Sequence, residues 1–550
     1  MNKSYTLLLS GLAFTTSVFA QSTYADIYNI FQAKCTGACH TSTSPSGNLV
    51  LNGTQNAVYS ALVNVTPTNP AAAAKGNKRI APGYPERSFL FRKCNSSFDN
   101  YYEALESNEG AAMPQNQAAL TPQEMEKIRQ WIYFGAPQTG VVIQDSTIND
   151  FYAGQGMVPL PVPPAPNPNQ GFQIRLGPIL LEPYREVEYF KKHQLLLPDS
   201  LEVNRVEIFM NTQSHHYIIY KFNPGSSGSF PDGLRTPNQS PSGIVTTPVI
   251  IAQYNKDFVL PQGTAFKWPL GTTLDLNYHV INYSADSIFP AYTYANVYTQ
   301  PKGTAQHEMF SNLILYSKYN NPAIFNIPNN GVNKTFTDTF AQPSSPYIMN
   351  LWQLSTHTHK WGRDYDVYKR NADGTRGVQL YEGFYDIDYT FNQGYYDWAH
   401  PAVREFDPLE PIFLKDGLIH EAVFNNTGSG TVFFGLTSND EMMLITVMYT
   451  LGLSTGEKEH TTFENSLNVY PNPSSGKVQI EYAVTSGELI DLSVYNILGQ
   501  KVFTIFSGQM NNGVQNAMFD LRSFGLPQGQ YILKMEHSKG FETKKIIFTE

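Results

Sequence analysis

Few residues of this chain could do chemistry, and their spacing can be read case by case. Twelve histidines serve 550 residues, yet "STHTHKWG" places His357 and His359 one residue apart. In an extended strand the side chains at i and i+2 leave the same face, so both imidazoles point at one spot, a metal-ligand geometry. Alternating polar residues on the wet face of a strand give the same pattern, so the pair needs company. "SHHYIIY" supplies His215 and His216 at the end of an alternating strand. "LDLNYHVINY" supplies His279 on the face opposite Leu274, Leu276, Tyr278 and Val280. "SNDEMM" supplies Met442, in an apolar strand where core packing is the default. Imidazoles joined by one soft thioether form a ligand set for a transition metal. A second set lies near the start, where Cys35 and Cys39 precede His40 and Met113 lies downstream. Two thiols can add to haem vinyl groups while the adjacent imidazole ligates the iron and a thioether closes the sixth position. A Cys35 to Cys39 disulfide beside an incidental His40, and an apolar contact for Met113, are the plainer readings. Cys94 reads as a buried or free thiol.

These residues need elements to carry them. A single core stops growing beyond about 250 to 300 residues, so the chain should be multidomain. Residues 1–20 have the pattern of a cleaved secretory signal, with maturation near Gln21. No later stretch suits a transmembrane helix. A net charge of -9 and a pI near 5.8 give no case for nucleic acid or an anionic membrane. Residues 21–140 read as a small α-helical domain: "YADIYNIFQAK" has helical spacing, and "LTPQEMEKIRQWIYFGAP" has Thr121 as N-cap, Pro122 in the first turn, Glu124 completing the cap and Gly135 at the exit. Residues 141–170 are Pro-rich and read as an extended, semi-rigid spacer. Alternating strands follow, in a length that suits two antiparallel β-sandwiches, 171–300 and 301–455. After a linker at 456–466, residues 467–550 read as a small β-sandwich, with alternation at Val478, Ile480, Tyr482 and Val484 and turns at Asn472 to Gly476 and Ser538 to Gly540. The fold class is thus multidomain and mainly β.

Three resemblances add to this reading. "VYPNPSSGKVQI", "VYNILGQKV" and "LPQGQYILK" resemble the C-terminal sorting domain of type IX secretion substrates, which implies export through the periplasm, recognition by the type IX machinery, and a secreted or surface-attached product. Residues 24 to 137 resemble a c-type cytochrome, which implies covalent haem held by Cys35, Cys39, His40 and Met113; three residues separate the cysteines where the usual motif has two. The order HH, H, HTH, M over residues 171 to 452 resembles the copper type II, ascorbate-dependent monooxygenases, which include peptidylglycine and dopamine β-hydroxylating enzymes, with jelly-roll-like sandwiches. That resemblance implies two copper ions: an electron-relay site of His215, His216 and His279, and an oxygen-activating, catalytic site of His357, His359 and Met442. It also implies hydroxylation of a C-H bond of a small organic substrate with O2 and a reductant, either ascorbate-like or another carrier such as the fused haem. The segment has no cysteine, and Ser355, Leu444 and Thr446 stand where the peptide-hydroxylating members grip a carboxylate, so a glycine-extended peptide is not the expected substrate. Two other readings stand beside this one: an extracellular copper-binding or electron-transfer protein, and a structural or adhesive β protein. The remaining histidines, His193, His307, His400, His420, His460 and His537, read as structural or surface residues.

Overall fold

The computed structural model describes residues 22–37, 39–197, 199–240, 245–383, 398, 401–453, 467–484, 489–497, 499–509, 513–537 and 540–549. The expected signal segment, the 456–466 linker, His400, His460 and the turn beginning at Ser538 lie outside them, as do the side chains of Val484 and His537. The chain is mainly β and divides into two compact units, Met1–Leu453 and Ser454–Glu550. No described helix is long and apolar enough to cross a membrane.

Local signals define the first helices. Thr121 Oγ1 accepts the Glu124 N–H and the Glu124 carboxylate accepts the Thr121 N–H, closing the capping box at the head of the Pro122–Tyr133 helix. Gly135, at φ +88°, ends it. Met125, Ile128, Trp131 and Ile132 bury one face of that helix against Tyr24, Ile27 and Phe31 of the Thr23–Cys35 helix.

This helical region is fixed to the β structure by buried polar contacts. Asp99 accepts from Arg129 at 2.7 Å and from Arg175 at 2.8 Å. Burial opposes the Asp99 charge, but the two guanidinium groups hold its carboxyl below the usual range. Tyr133 O–H donates to the Gly177 carbonyl and the Gln130 amide donates to that of Pro178. At Gly83, φ +80°, a Cβ would lie 2.0 Å from the Asp232 carbonyl, so only glycine lets the backbones approach. The 141–170 segment is more than a spacer. It contains the Asp145–Asp150 helix, and its proline carbonyls are strapped to the sheet by Gln173 on Pro163 and Asn296 on Pro164.

Two sheets enclose the first β core. The strands Glu186–Gln194, Thr273–Ile281, Ser214–Phe222 and Thr246–Ala252 belong to a five-stranded sheet. It shares that core with Gly171–Leu181, Phe289–Gln300, Leu201–Met210 and Thr264–Trp268 of a nine-stranded sheet. The nine-stranded sheet continues into the second half through a short parallel pairing, Thr264 with His307 and Ala265 with Glu308, and then through His307–Leu315, Leu444–Leu453, Tyr347–His357 and Val403–Phe413. A four-stranded sheet of Lys334–Phe340, Leu418–Phe424, Gly362–Arg370 and Arg376–Glu382 encloses the second core. The two halves expected as 171–300 and 301–455 therefore share one sheet. The Ser454–Glu550 unit has its own core, in which Val478, Ile480 and Tyr482 pack with Leu492, Val494 and Leu533 from the opposing sheet.

Removing one partner of a buried pair leaves the other charge uncompensated. Arg175→Ala should destabilise the Met1–Leu453 unit by roughly 3 kcal/mol, measured by chemical denaturation. The same truncation at exposed Lys302 should leave the midpoint unchanged.

Candidate functional site: a five-histidine seam

Strand alternation alone would not assemble the histidines. Along Thr273–Ile281, Leu274, Leu276, Tyr278 and Val280 face the first core, and His279 leaves by the other face. The neighbouring strand pairs His216 with His279 but Ser214 with Val280, so His215 is one residue too many. This bulge lets consecutive histidines reach the same side, where a regular pleat would separate them. Both open the Ser214–Phe222 strand; the preceding strand ends at Met210, and Asn211 to Gln213 form the turn between them, so the expectation that the pair ends a strand is corrected.

A second bulge does the same from the other half. In Tyr347–His357, Leu351 pairs with Tyr449 and Gln353 with Met448, leaving Trp352 as the extra residue. Before it, Met349 and Leu351 face the second core; after it, that core receives Leu354. The inserted residue inverts the parity, so Gln353, Ser355 and His357 face the first half. Without Trp352, His357 would point into its own core.

The result is one cluster of five rings. His215 lies 5.5 Å from His216, 5.1 Å from His279, 5.1 Å from His357 and 5.8 Å from His359, centroid to centroid. His357 and His359 are 5.2 Å apart, and His216 and His279 5.1 Å. One ligand atom from each of His215, His357 and His359 lies within 4.8 Å of the others. The expected partition, with His215 in a site separate from His357 and His359, does not match this spacing. The bulge puts the His215 ring as near to the second half's pair as to its own neighbours.

Hydrogen bonds define the ring tautomers. His357 Nδ1 is 3.0 Å from Gln253 Oε1, and that amide spends its N–H on the Thr356 carbonyl, so His357 must be the donor. His359 Nδ1 donates to the Asp440 carbonyl at 3.1 Å. Each therefore has its lone pair on Nε2. His279 reverses this: Nε2 is 2.9 Å from the Glu186 carboxylate, and Nδ1 is buried without a partner. His216 Nδ1 and His215 Nε2 are likewise buried and unpartnered. Burial and mutual repulsion push His215, His216 and His357 far below the ordinary imidazole range, and burial brings His359 to about 4. A neutral ring whose N–H is engaged and whose other nitrogen is free, as in His357 and His359, is the donor a copper or zinc ion requires.

Met442 lies two residues before the Leu444–Leu453 strand, whose Leu444 pairs with His357, and Met443 is buried in the second core. Buried Glu441 accepts from the backbone N–H groups of His359, Trp361 and Met442, holding these segments together. Burial raises its carboxyl to about 8. Glu186 spans the seam by accepting from His279 and from Ser438 N and Oγ. Gln253, Glu186 and Glu441 were not foreseen, because isolated polar residues carry no spacing signal. The small Ser355 and Thr446 pair on the histidine-bearing face.

The second expected group converges on a cavity of the helical region. Cys35, His40 and Met113 line it with Leu49, Leu51 and Phe89. His40 Nδ1 donates to the Leu49 carbonyl at 3.3 Å, which leaves Nε2 as the ligating atom. Cys39 is outside the lining and Cys94 is within it; all three thiols are free. A thiol, an imidazole and a thioether on one largely apolar wall fit a covalently held haem.

Comparison with known proteins bears on the C-terminal unit. Residues 468–549 match the family model of the secretion system C-terminal sorting domain. The tail marks the chain for type IX export, to be secreted or attached at the cell surface. No curated protein matches the sequence. Among solved structures, the chain is similar to a beta-glucuronidase of Faecalibacterium prausnitzii at 9% identity, over 40% of this chain and 37% of that one, with a TM-score of 0.17. It is similar to a beta-glucuronidase of an uncultured Clostridium sp. at 8% identity, over 46% and 39%, with a TM-score of 0.16. It is similar to the adhesin domain of Epf from Streptococcus pyogenes at 10% identity, over 39% and 76%, with a TM-score of 0.14. The chain spans less than two fifths of either beta-glucuronidase, and likenesses this remote carry no argument about chemistry.

A further group of three carboxylates, Asp364, Asp366 and Glu382, lies within 4.8 Å in the second half. Burial first, then repulsion from Glu382, raises Asp364 to about 6 and Asp366 to about 7. A raised folded-state pKa means the folded chain holds its proton longer, so stability falls as pH rises from the ordinary aspartate value of 3.8 toward 7. Asp366→Asn should remove most of that loss. Thermal unfolding at pH 5 and pH 8 checks it: the variant should gain on the wild type at both, and by more at pH 8, where the loss is complete.

Proposed function

We propose that this chain is an exported copper-dependent monooxygenase, with a copper centre in the seam between its β halves and a haem group in the helical region. The observation that carries the reading is the set of inward lone pairs. Five buried imidazoles from both halves meet, four with a ring nitrogen at or near a protein acceptor and three with a buried nitrogen left unpartnered. Copper bound there would supply one-electron steps and dioxygen activation.

The chain's own residues prepare that chemistry. Gln253, Asp440 and Glu186 orient His357, His359 and His279, and Glu188, with an oxygen 3.9 Å from His216 Nε2, flanks the fourth ring. Burial keeps His215, His216, His357 and His359 neutral at the pH of use, so protons do not compete for their lone pairs. Met442, just before the strand that pairs with His357, would add a thioether. The substrate is a small organic molecule hydroxylated at a C-H bond, and the helical region is the internal source of electrons. His40, oriented by Leu49, and Met113 would hold the haem, with Cys35 in the cavity wall attaching it and Cys39, outside the lining, the second thiol of the expected motif.

Copper-loaded protein should bind two ions per chain by elemental analysis. His279→Ala should lose about one, while His215→Ala, whose ring adjoins all four others, should lower both. Anaerobically reduced protein should consume O2 faster when a hydroxylatable molecule from a small panel is present, with an oxygenated product. Zinc in place of copper, or no metal after reconstitution, would refute the centre; O2 uptake indifferent to every candidate would favour electron transfer without hydroxylation. Expression with a c-type maturation system should give a chain that stains for haem peroxidase activity on a denaturing gel. A haem-free chain ends the cytochrome reading.

A further inference from the structure

The strand that sends His279 to the seam sends Tyr278 to the first core, and the strand that sends His216 to the seam sends Tyr217 to the same core, 6.2 Å from Tyr278. Each tyrosine is bonded through one peptide unit to a cluster histidine. Tyr278 O–H donates to the carbonyl of Tyr292, whose ring stacks parallel to Tyr294 at 6.2 Å and 5°. Tyr294 meets Tyr101 of the helical region at 6.2 Å, Tyr101 meets Tyr102 at 5.8 Å, and Tyr102 meets Phe91 at 5.1 Å. Phe91 belongs to the Phe89–Cys94 helix, whose Phe89, Leu90 and Cys94 line the thiol and imidazole cavity. The Arg175 guanidinium is stacked on Tyr101 at 4.0 Å and Tyr102 at 4.7 Å and bonded to Asp99, which fixes the rings where the two regions meet.

From this geometry we infer that the file Phe91, Tyr102, Tyr101, Tyr294, Tyr292, Tyr278 and Tyr217 is an electron conduit from the helical-region cavity to the histidine seam. The inference rests on the proposed haem and copper occupancy. Electron tunnelling decays steeply across empty gaps and is better coupled through touching π systems and hydrogen bonds; the ring contacts here lie within the span of aromatic pairs, and the Tyr292 to Tyr278 link is the 3.0 Å hydrogen bond from Tyr278 O–H to the Tyr292 carbonyl. With both groups bound, the step would move one electron from a reduced haem held by Cys35, His40 and Met113 to an oxidised copper ion held by the cluster. One centre is oxidised and the other reduced, with no bond made or broken and no proton moved.

The test uses the full chain with haem attached and copper bound, both confirmed spectroscopically beforehand. After a flash that delivers one electron to the haem, its reoxidation is followed by absorbance without O2 or substrate. The wild type should reoxidise at a rate independent of protein concentration. Tyr101→Phe, which keeps the ring, should match it within about twofold, and Tyr101→Leu and Tyr294→Leu should each be slower by about tenfold or more. Near-ultraviolet circular dichroism identifies variants that remain folded, and having one on either side of the domain contact keeps the comparison open should one fail to fold. A folded leucine variant with the wild-type rate overturns the conduit while leaving the haem and copper reading intact. A chain that carries no haem or no copper overturns both, and the preparative spectra show it before any rate is measured.

Discussion

The pleat of a β-strand is the constraint on which the site depends. Consecutive side chains must leave opposite faces, so two adjacent histidines cannot ordinarily share a site. Nor can a strand that buries Met349 and Leu351 in one core present His357 to another without changing parity. One extra residue at His215 and one at Trp352 resolve both conflicts. The halves can then each keep an apolar core and still turn imidazoles toward one another.

Once the rings converge, electrostatics determines what they can do. Removing five imidazoles from water is tolerable only if they are neutral and each N–H finds an acceptor. Gln253, Asp440 and Glu186 meet that need for three of them, and the acceptors come from both halves. The same bonds that satisfy the rings also knit the seam, since Glu186 holds Ser438 and Gln253 holds Thr356. Site and interface are therefore one network, and a change to either disturbs the other.

Much of this was legible in the sequence, and the limits have physical causes. The capping box at Thr121, the alternation around His279 and the turn-rich C-terminal strands are local signals, and they appear where spacing places them. Which histidines come together was legible from their order along the chain. How they group was not, because a bulge is set by pairing with a distant strand and leaves no mark in the residues themselves. Cys94 could not be placed with Cys35 for the same reason: its position depends on how the Phe89–Cys94 helix packs. The Pro-rich segment resembles a free spacer in composition, yet its carbonyls are bound by Gln173 of the next strand and by Asn296 from a strand far along the chain.

The depth of the five rings has a kinetic consequence. His279 and His359 are 1% exposed and even His216 only 9%, so solvent scarcely reaches the nitrogen atoms. Any ion coordinated there exchanges at the rate at which the seam opens, not at the rate of ligand dissociation in water. Retention then becomes a matter of trapping: a weak chelator in large excess strips the ion slowly, and loading is fastest while the halves are still coming together. An exported protein built this way would keep an ion held there through extreme dilution outside the cell, where an open site of equal affinity would release it.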